Sequence, residues 1–193
     1  MGHHGKVFAF EPLPDYYEYL KKAFNHKKNV EIFNLALSDQ NSTKPLRIPL
    51  RSKLEMPGYA TLENIDGPFR EIMIETEALD SMKIEDVDFI KIDIEGHEYD
   101  FLIGAFGTLK SSLPILQIEL NAKLNSIKVW RIIQLLTQNL NYKMYKFDGK
   151  SLIKIDVSFF AKPITKSTHL NSENFIFIND CDRENLKLHF QEN

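Results

Sequence analysis

Residues 88–98 read DFIKIDIEGHE, and few folds can accommodate such a stretch. The run from Phe89 to Ile94 is apolar and β-forming, which predicts a strand bound for a buried sheet. Yet Lys91, Asp93 and Glu95 interrupt it at every second position. In an extended chain those side chains point to one face. Burying unpaired charge costs about several kcal/mol. The strand is therefore expected to end at a polar crevice, with Gly96 letting the chain turn sharply. Lys91 lies deeper in this reading and needs a carboxylate partner. The plain alternative is an ion pair that tidies a strand end.

The flanking sequence supplies an α/β setting. KVFAFEP (residues 6–12) is a short β-rich run closed by Glu11 and Pro12, and Pro14 and Asp15 then suit the first turn of a helix. Tyr16, Leu20, Ala23 and Phe24 fall on one face of it. NVEIFNLALSD (residues 29–39) predicts the next strand and a polar turn. Residues 46–67, rich in Pro, Gly and polar groups, predict a loop with at most a short strand. EIMIETEAL (residues 71–79) alternates like a half-exposed strand. Leu102, Ala105, Phe106 and Leu109 have helical spacing over residues 99–112, and PILQIEL follows as another buried strand. Residues 125–140 predict a helix with Trp130, Ile133, Leu136 and Leu140 inward; YKMYKF, LIKIDV and NFIFIN predict short strands. Such alternation argues an α/β fold with a mostly parallel sheet, in a single domain over residues 1–193. Ligands in such sheets bind outside the carboxyl ends of the strands. Glu11, Ser38, Asp39 and Glu119 also fall at strand ends. Singly each reads as an N-cap or solvated turn; together they suggest a site for a ribose and an amino group.

Bulk properties exclude other classes. A net charge of −3 gives no electrostatic case for nucleic acid or an anionic membrane. No apolar run approaches the roughly 20 residues that span a bilayer. The one cysteine, Cys181, excludes an intramolecular disulfide and points to a reducing, cytoplasmic compartment. The start, MGHHGKVFAFEP, lacks a signal-peptide layout, and His3 and His4 read as a polar frayed terminus.

KVFAFEPLPDYYEYLKK, NLALSD, LDSM and above all DFIKIDIEGHEYDFLIGAFGTL followed by PILQIEL resemble the FkbM-type methyltransferases. The resemblance is strongest over residues 6–140, with a weaker echo at NFIFIN. It implies a Rossmann-like class I methyltransferase sheet, S-adenosylmethionine as cofactor, and methyl transfer to a hydroxyl of a sugar or secondary metabolite. Glu11 matches the acid that accepts from both ribose hydroxyls, as an acceptor-only carboxylate suits a vicinal diol. Leu35, Ala36 and Leu37 match the turn lining the adenine, bordered by Ser38 and Asp39. Asp93 matches the acid beside the methionine part and the reacting centre, and Glu95, His97 and Glu98 follow around that pocket. Asp93 or His97 would take the acceptor's proton; general-base help contributes about 10²–10⁴-fold. Histidine ordinarily titrates near neutrality, whereas Asp93 has the family position. A loop histidine with no catalytic part is the plain alternative for His97. Asp93 with Glu95 could instead hold a divalent cation through hard oxygen ligands, although no metal ligand set is assigned.

The chain departs from the family at its start. The family begins with a strand, a glycine-rich turn of the type D-x-G-x-x-x-G and a helix, all ahead of the FEP strand. That strand normally lies mid-sheet, between the strands of KVFAFE and DFIKID, and the turn approaches the methionine end closely. Here the first strand, turn and helix are missing from the sequence. Three outcomes stay open: a shortened fragment, a second chain that supplies the missing segment, or direct pairing of the flanking strands. The function is accordingly an O-methyltransferase, or a catalytically inactive remnant that acts as a partner-dependent binding module. A nicotinamide-dependent dehydrogenase shares the acid after the second strand but needs a G-x-G-x-x-G that is missing here. The acceptor is not legible, although residues 46–67 are expected to contribute to its choice.

Overall fold

The computed structural model of the protein describes residues 5–160, 173–179 and 190–191, so the readings of His3, His4 and Cys181 lie outside the described residues. Strands β1 (Val7–Phe10) and β2 (Val30–Phe33) form a parallel ribbon in which Val7 pairs with Val30. Helix α1 (Pro14–Phe24) connects them, with Pro14 and Asp15 in its first turn and Lys21 and Lys22 in its last. No α1 residue is buried, and Tyr16 and Phe24 are 47% and 41% exposed. The apolar face expected on this helix is present but largely uncovered.

The second sheet holds β3 (Ala36–Leu37), β4 (Ser42–Arg51), β5 (Leu54–Glu55) and β6 (Phe69–Glu77), in the order β3-β6-β4-β5. Here the structure corrects the loop expected over residues 46–67, because β4 is a full strand that crosses two prolines. The Arg47 N–H reaches the Thr61 carbonyl, whereas the Leu50 N–H reaches the Pro68 carbonyl beside β6. Odd-numbered positions of β4 therefore point away from β6. Pro45 and Pro49 are odd, so their missing donors remove no β4–β6 hydrogen bond.

The third sheet holds β7 (Phe89–Ile92), β8 (Ile115–Leu120), β9 (Tyr142–Phe147), β10 (Leu152–Lys154), β11 (Glu173–Asn179) and β12 (Phe190–Gln191). Its order is β12-β10-β9-β11-β8-β7. The expectation of a mostly parallel sheet is corrected: β7–β8 and β10–β12 are parallel, but β8–β11, β11–β9 and β9–β10 are antiparallel. The β9–β10 link is a tight turn in which Asp148 accepts N–H bonds from Lys150 and Ser151, with Gly149 at φ 97°. A connection this short can return a strand only antiparallel.

The helix expected over residues 99–112 is split into α2 (Glu98–Gly104) and α3 (Phe106–Ser112). Asp80 causes the second start, accepting the N–H groups of Gly107 and Thr108 and the Thr108 hydroxyl. Helix α4 (Ala122–Gln134) runs on as a π turn through Leu135–Asn139. The main core forms where α2, α3 and α4 cover β8, with Leu102, Leu109, Leu116, Ile118 and Ile132 at 0% exposure. A smaller cluster of Leu13, Leu46, Ile48 and Ile74 sits on the second sheet. Among the described residues no helix is long and apolar enough to cross a membrane.

Candidate active site

A cleft of about 1500 Å³ separates β1 from β7. Residues 5–13 line one wall and residues 83–95 the other. Leu13, just past β1, packs in the cluster that includes Ala60, and the neighbouring Thr61 hydroxyl donates to the Glu95 carbonyl just past β7 (2.7 Å). The carboxyl ends of β1 and β7 therefore lie together. Of the candidate residues, Glu11, Ala36, Leu37, Asp93, Glu95 and His97 line this cleft; Leu35, Ser38 and Asp39 do not.

Glu11 leaves β1 and accepts the Leu13 N–H through Oε1 (2.8 Å). Burial pushes its carboxyl above the ordinary range, and the Leu13 bond opposes that. The Asn34 amide braces the same turn by donating to the carbonyls of Glu11 (2.9 Å) and Pro12 (3.2 Å).

Opposite Glu11, β7 is an edge strand, which answers the charge pattern of the sequence. Phe89 is 53% exposed, and Lys91 is exposed rather than deep. The Lys91 ammonium donates to Asp93 Oδ2 at 2.7 Å in a solvent-facing ion pair. Asp93 also shares a hydrogen bond with Glu119 at the far end of β8, and these two carboxyls behave as a pair holding a proton between them. The bond to Asp93, then burial, then the Asp93 charge push Glu119 up to about 7, while Asp93 stays below its ordinary range. Glu95 and Gly96 sit at φ 51° and 96°, the sharp turn expected after the strand. Burial, then the charges of Asp93 and Glu98, raise Glu95. Glu98 is also raised by burial, although it accepts the Gly96 N–H at 2.9 Å.

Behind the cleft lies a buried polar array. His97 is 6% exposed, with Nε2 2.9 Å from Ser38 Oγ and Nδ1 2.7 Å from Glu63 Oε1. The Lys128 ammonium on α4 bridges Glu63 (2.6 Å) and Asp100 (2.5 Å). The Lys44 ammonium binds Ser38 Oγ (2.8 Å) and Asp39 Oδ1 (2.6 Å). Burial would raise Glu63, but hydrogen bonds from His97 and Lys128 outweigh it and hold the carboxyl at about 2. A Ser–His–Glu sequence of contacts is the geometry of an activated nucleophile. Ser38 is 0% exposed, so no substrate reaches its oxygen. Ligand atoms of Glu63, His97 and Asp100 lie within 4.8 Å of one another. The positive charge between the two carboxylates is supplied by Lys128. The array works as a brace that ties the turn at residues 36–39, the segment at 61–63, the start of α2 and α4 together. At Gly104 α2 comes so close that an added Cβ would sit 1.9 Å from the Ser38 carbonyl oxygen.

Sequence reasoning grouped Glu119 with the strand-end acids of the site but not as the partner of Asp93, and it missed Glu63, Asp100 and Lys128. Glu63 and Lys128 have partners 28 to 65 residues away, so no local spacing announces them, whereas Asp100 also lies three residues from His97 on α2 (3.7 Å).

The family model of the methyltransferase FkbM domain matches residues 1–144. A solved structure, methyltransferase FkbM from Methylobacillus flagellatus KT, shares the fold with a TM-score of 0.52 at 13% sequence identity. The match covers 90% of this chain and 36% of that one, so this chain spans little more than a third of the solved protein. No curated protein matches the sequence.

Proposed function

The chain belongs to the FkbM methyltransferase family, and from that premise we propose that the cleft is the S-adenosylmethionine site of an O-methyltransferase acting on a sugar or secondary-metabolite hydroxyl. One observation carries the reading: Glu11, Ala36, Leu37 and Asp93 converge on one cleft at the carboxyl ends of β1 and β7. The donor set suits the nucleoside. Glu11 has acceptor capacity beyond its bond to Leu13 for a ribose diol. Ala36 and Leu37 offer an apolar surface for a purine.

When bound, S-adenosylmethionine supplies the sulfonium methyl that passes to the acceptor oxygen. Asp93 lines the cleft and takes the hydroxyl proton at a carboxylate oxygen. This step needs the pair without its shared proton, and Glu119, raised to about 7, then shares the incoming proton across their hydrogen bond, which places the pair close to the best range for a general base. His97 has both ring nitrogens engaged and acts as a positioning residue, holding the turn beside Ala36 and Leu37 in register with Glu95.

A second reading, a partner-dependent module inactive alone, is favoured by the width of the cleft. Its volume of about 1500 Å³ exceeds the roughly 300–1,000 Å³ of small-molecule sites. Near Asp93 and Glu95 the cleft offers acids rather than a backbone cradle for the methionine end. Titration calorimetry of residues 1–193 with S-adenosylmethionine separates the possibilities. The expected result is a Kd well above the micromolar range, no turnover, and further loss of roughly tenfold or more in Glu11→Ala, about 1.4 kcal/mol. Equal binding by Glu11→Ala would overturn the assignment. Micromolar binding by the unaltered chain would overturn the second reading.

A further inference from the structure

We propose that a small pocket beside Glu95, walled by Pro49, Tyr59, Asn64 and Ile65, is the acceptor subsite, and that it takes a single sugar ring bearing no acidic group. Its role as acceptor subsite rests on the reading of the neighbouring cleft as the cofactor site.

The pocket has a volume of about 220 Å³ and forms where β4 and the segment at 59–65 meet the turn after β7. Thr61 and Glu95 line both this pocket and the cleft, so the two cavities join there. Tyr59, Asn64 and Ile65 line the pocket alone. The Thr61 hydroxyl fixes the junction, donating to the Glu95 carbonyl (2.7 Å) and accepting the Glu63 N–H (3.1 Å). Glu63, also in the pocket wall, is held from behind by His97 (2.7 Å) and Lys128 (2.6 Å). The buried brace thus keeps one wall of the pocket in place. Asp93, the proposed base, stands two residues before Glu95 and lines the cleft side of the junction.

Two polar side chains here do nothing for the fold. Among the described residues neither the Glu95 carboxyl nor the Asn64 amide has a hydrogen-bond partner. Glu95 is half-buried and sits at φ 51°, a backbone region that residues other than glycine enter rarely. Strain of that kind gathers at ligand sites. A half-buried carboxyl without a partner is unfavourable until a ligand supplies donors. A carboxylate only accepts, whereas an amide accepts and donates, so the two together suit neighbouring hydroxyls. Pro49, Ile65 and the 58% exposed Tyr59 add apolar surface for the C–H face of a ring. The volume lies below the roughly 300–1,000 Å³ of drug-sized sites, which limits the occupant to one ring. Among the described residues no lysine, arginine or histidine lines the pocket, whereas Glu63 and Glu95 do. An acidic group on the sugar would therefore meet like charge with no cation to pair it.

The probes are the methyl glycosides of glucose, galactose and mannose, with the methyl glycoside of glucuronic acid as the acidic control. Amide shifts of the full chain are followed by NMR without cofactor. The expected result is saturable, millimolar binding of at least one neutral glycoside, read at Asn64, Ile65, Glu95 and Gly96. The uronide should bind roughly fivefold or more weakly, and Glu95→Gln should narrow that gap. Tyr59→Ala and Asn64→Ala, both at exposed positions, should weaken binding of the neutral ring by roughly fivefold each. Both variants should keep the shifts that S-adenosylmethionine causes at Ala36 and Leu37. Still amides at all four positions with every neutral glycoside would overturn the subsite. So would equal binding of the uronide, or unchanged binding in both variants. Ala36 and Leu37 unmoved by S-adenosylmethionine in the unaltered chain would remove the cofactor reading and the acceptor role with it, while the sugar pocket stands or falls by its own four amides.

Discussion

Strands β2 and β8 are both short, apolar and parallel to a neighbour, yet they end in different environments. In β8, Leu116, Ile118 and Leu120 are all at 0% exposure. In β2 and its partner β1 no residue is buried, although Phe10 and Phe33 stack with ring centroids 5.2 Å apart. Composition does not separate them; neighbours do. β8 is flanked by β7 and β11 and covered by helices, whereas β2 has β1 on one side and the uncovered helix α1. A two-stranded unit is marginal in water by itself. The difference teaches that stability is concentrated in the third sheet, while the ribbon that carries Glu11 holds on by few contacts.

The largest test of that contrast is a pair of truncations. Leu116→Ala is expected to lose ~2–5 kcal/mol, as for other fully buried leucines, a large share of a typical ~5–15 kcal/mol. Ile32→Ala should lose no more than ~1 kcal/mol. Urea denaturation checks both, and equal losses would break the comparison.

A smaller effect is expected at Gly104. The alanine Cβ would meet the Ser38 carbonyl oxygen at 1.9 Å, backbone that cannot swing aside. Overpacking of this kind destabilises by ~1–3 kcal/mol. Amide shifts should spread to Ser38 and Asp39, and if they stay confined to α2, the coupling of that helix to the cleft wall is wrong.

The smallest effect is pH dependence, and two carboxyls pull in opposite directions. Glu63 is held at about 2, below an ordinary 4.5, so its contribution is present above pH 4.5 and is lost as pH falls from there towards 2. Glu119 is raised from 4.5 to about 7, so its contribution is present below pH 4.5 and is lost as pH rises through about 7. Thermal melts from pH 4.5 to 8 should show Tm declining in the unaltered chain and a flatter profile in Glu119→Gln. A decline of the same slope in both would remove the Asp93–Glu119 pair from the account.

Much of this contrast could be read beforehand. That Glu11, Ala36 and Asp93 line one cleft followed from the family resemblance, with Glu11 and Asp93 also marked locally as strand ends by an acid, a proline or a glycine. The sheet polarities were not, since parallel and antiparallel partners demand the same alternation; Pro45 and Pro49 then disguised β4 as loop. Lys91 was misplaced for a related reason: an edge strand and a central strand share a sequence pattern until their neighbours are known. The brace of His97, Glu63 and Lys128 was invisible because hydrogen bonds between distant segments leave no period in the chain.

The two prolines have a consequence for self-association. Pro45 and Pro49 sit on the outward side of β4, where each withholds a donor that an invading strand would need. That side is further occupied by β5, opposite Leu50 and Arg51, and by the Arg47–Thr61 bridge. Two edges of this molecule are thus treated in contrary ways. The margin of β4 is disarmed against sticking to other molecules, whereas β7 keeps an open edge among the described residues. Replacing the prolines would restore two outward N–H donors to that margin.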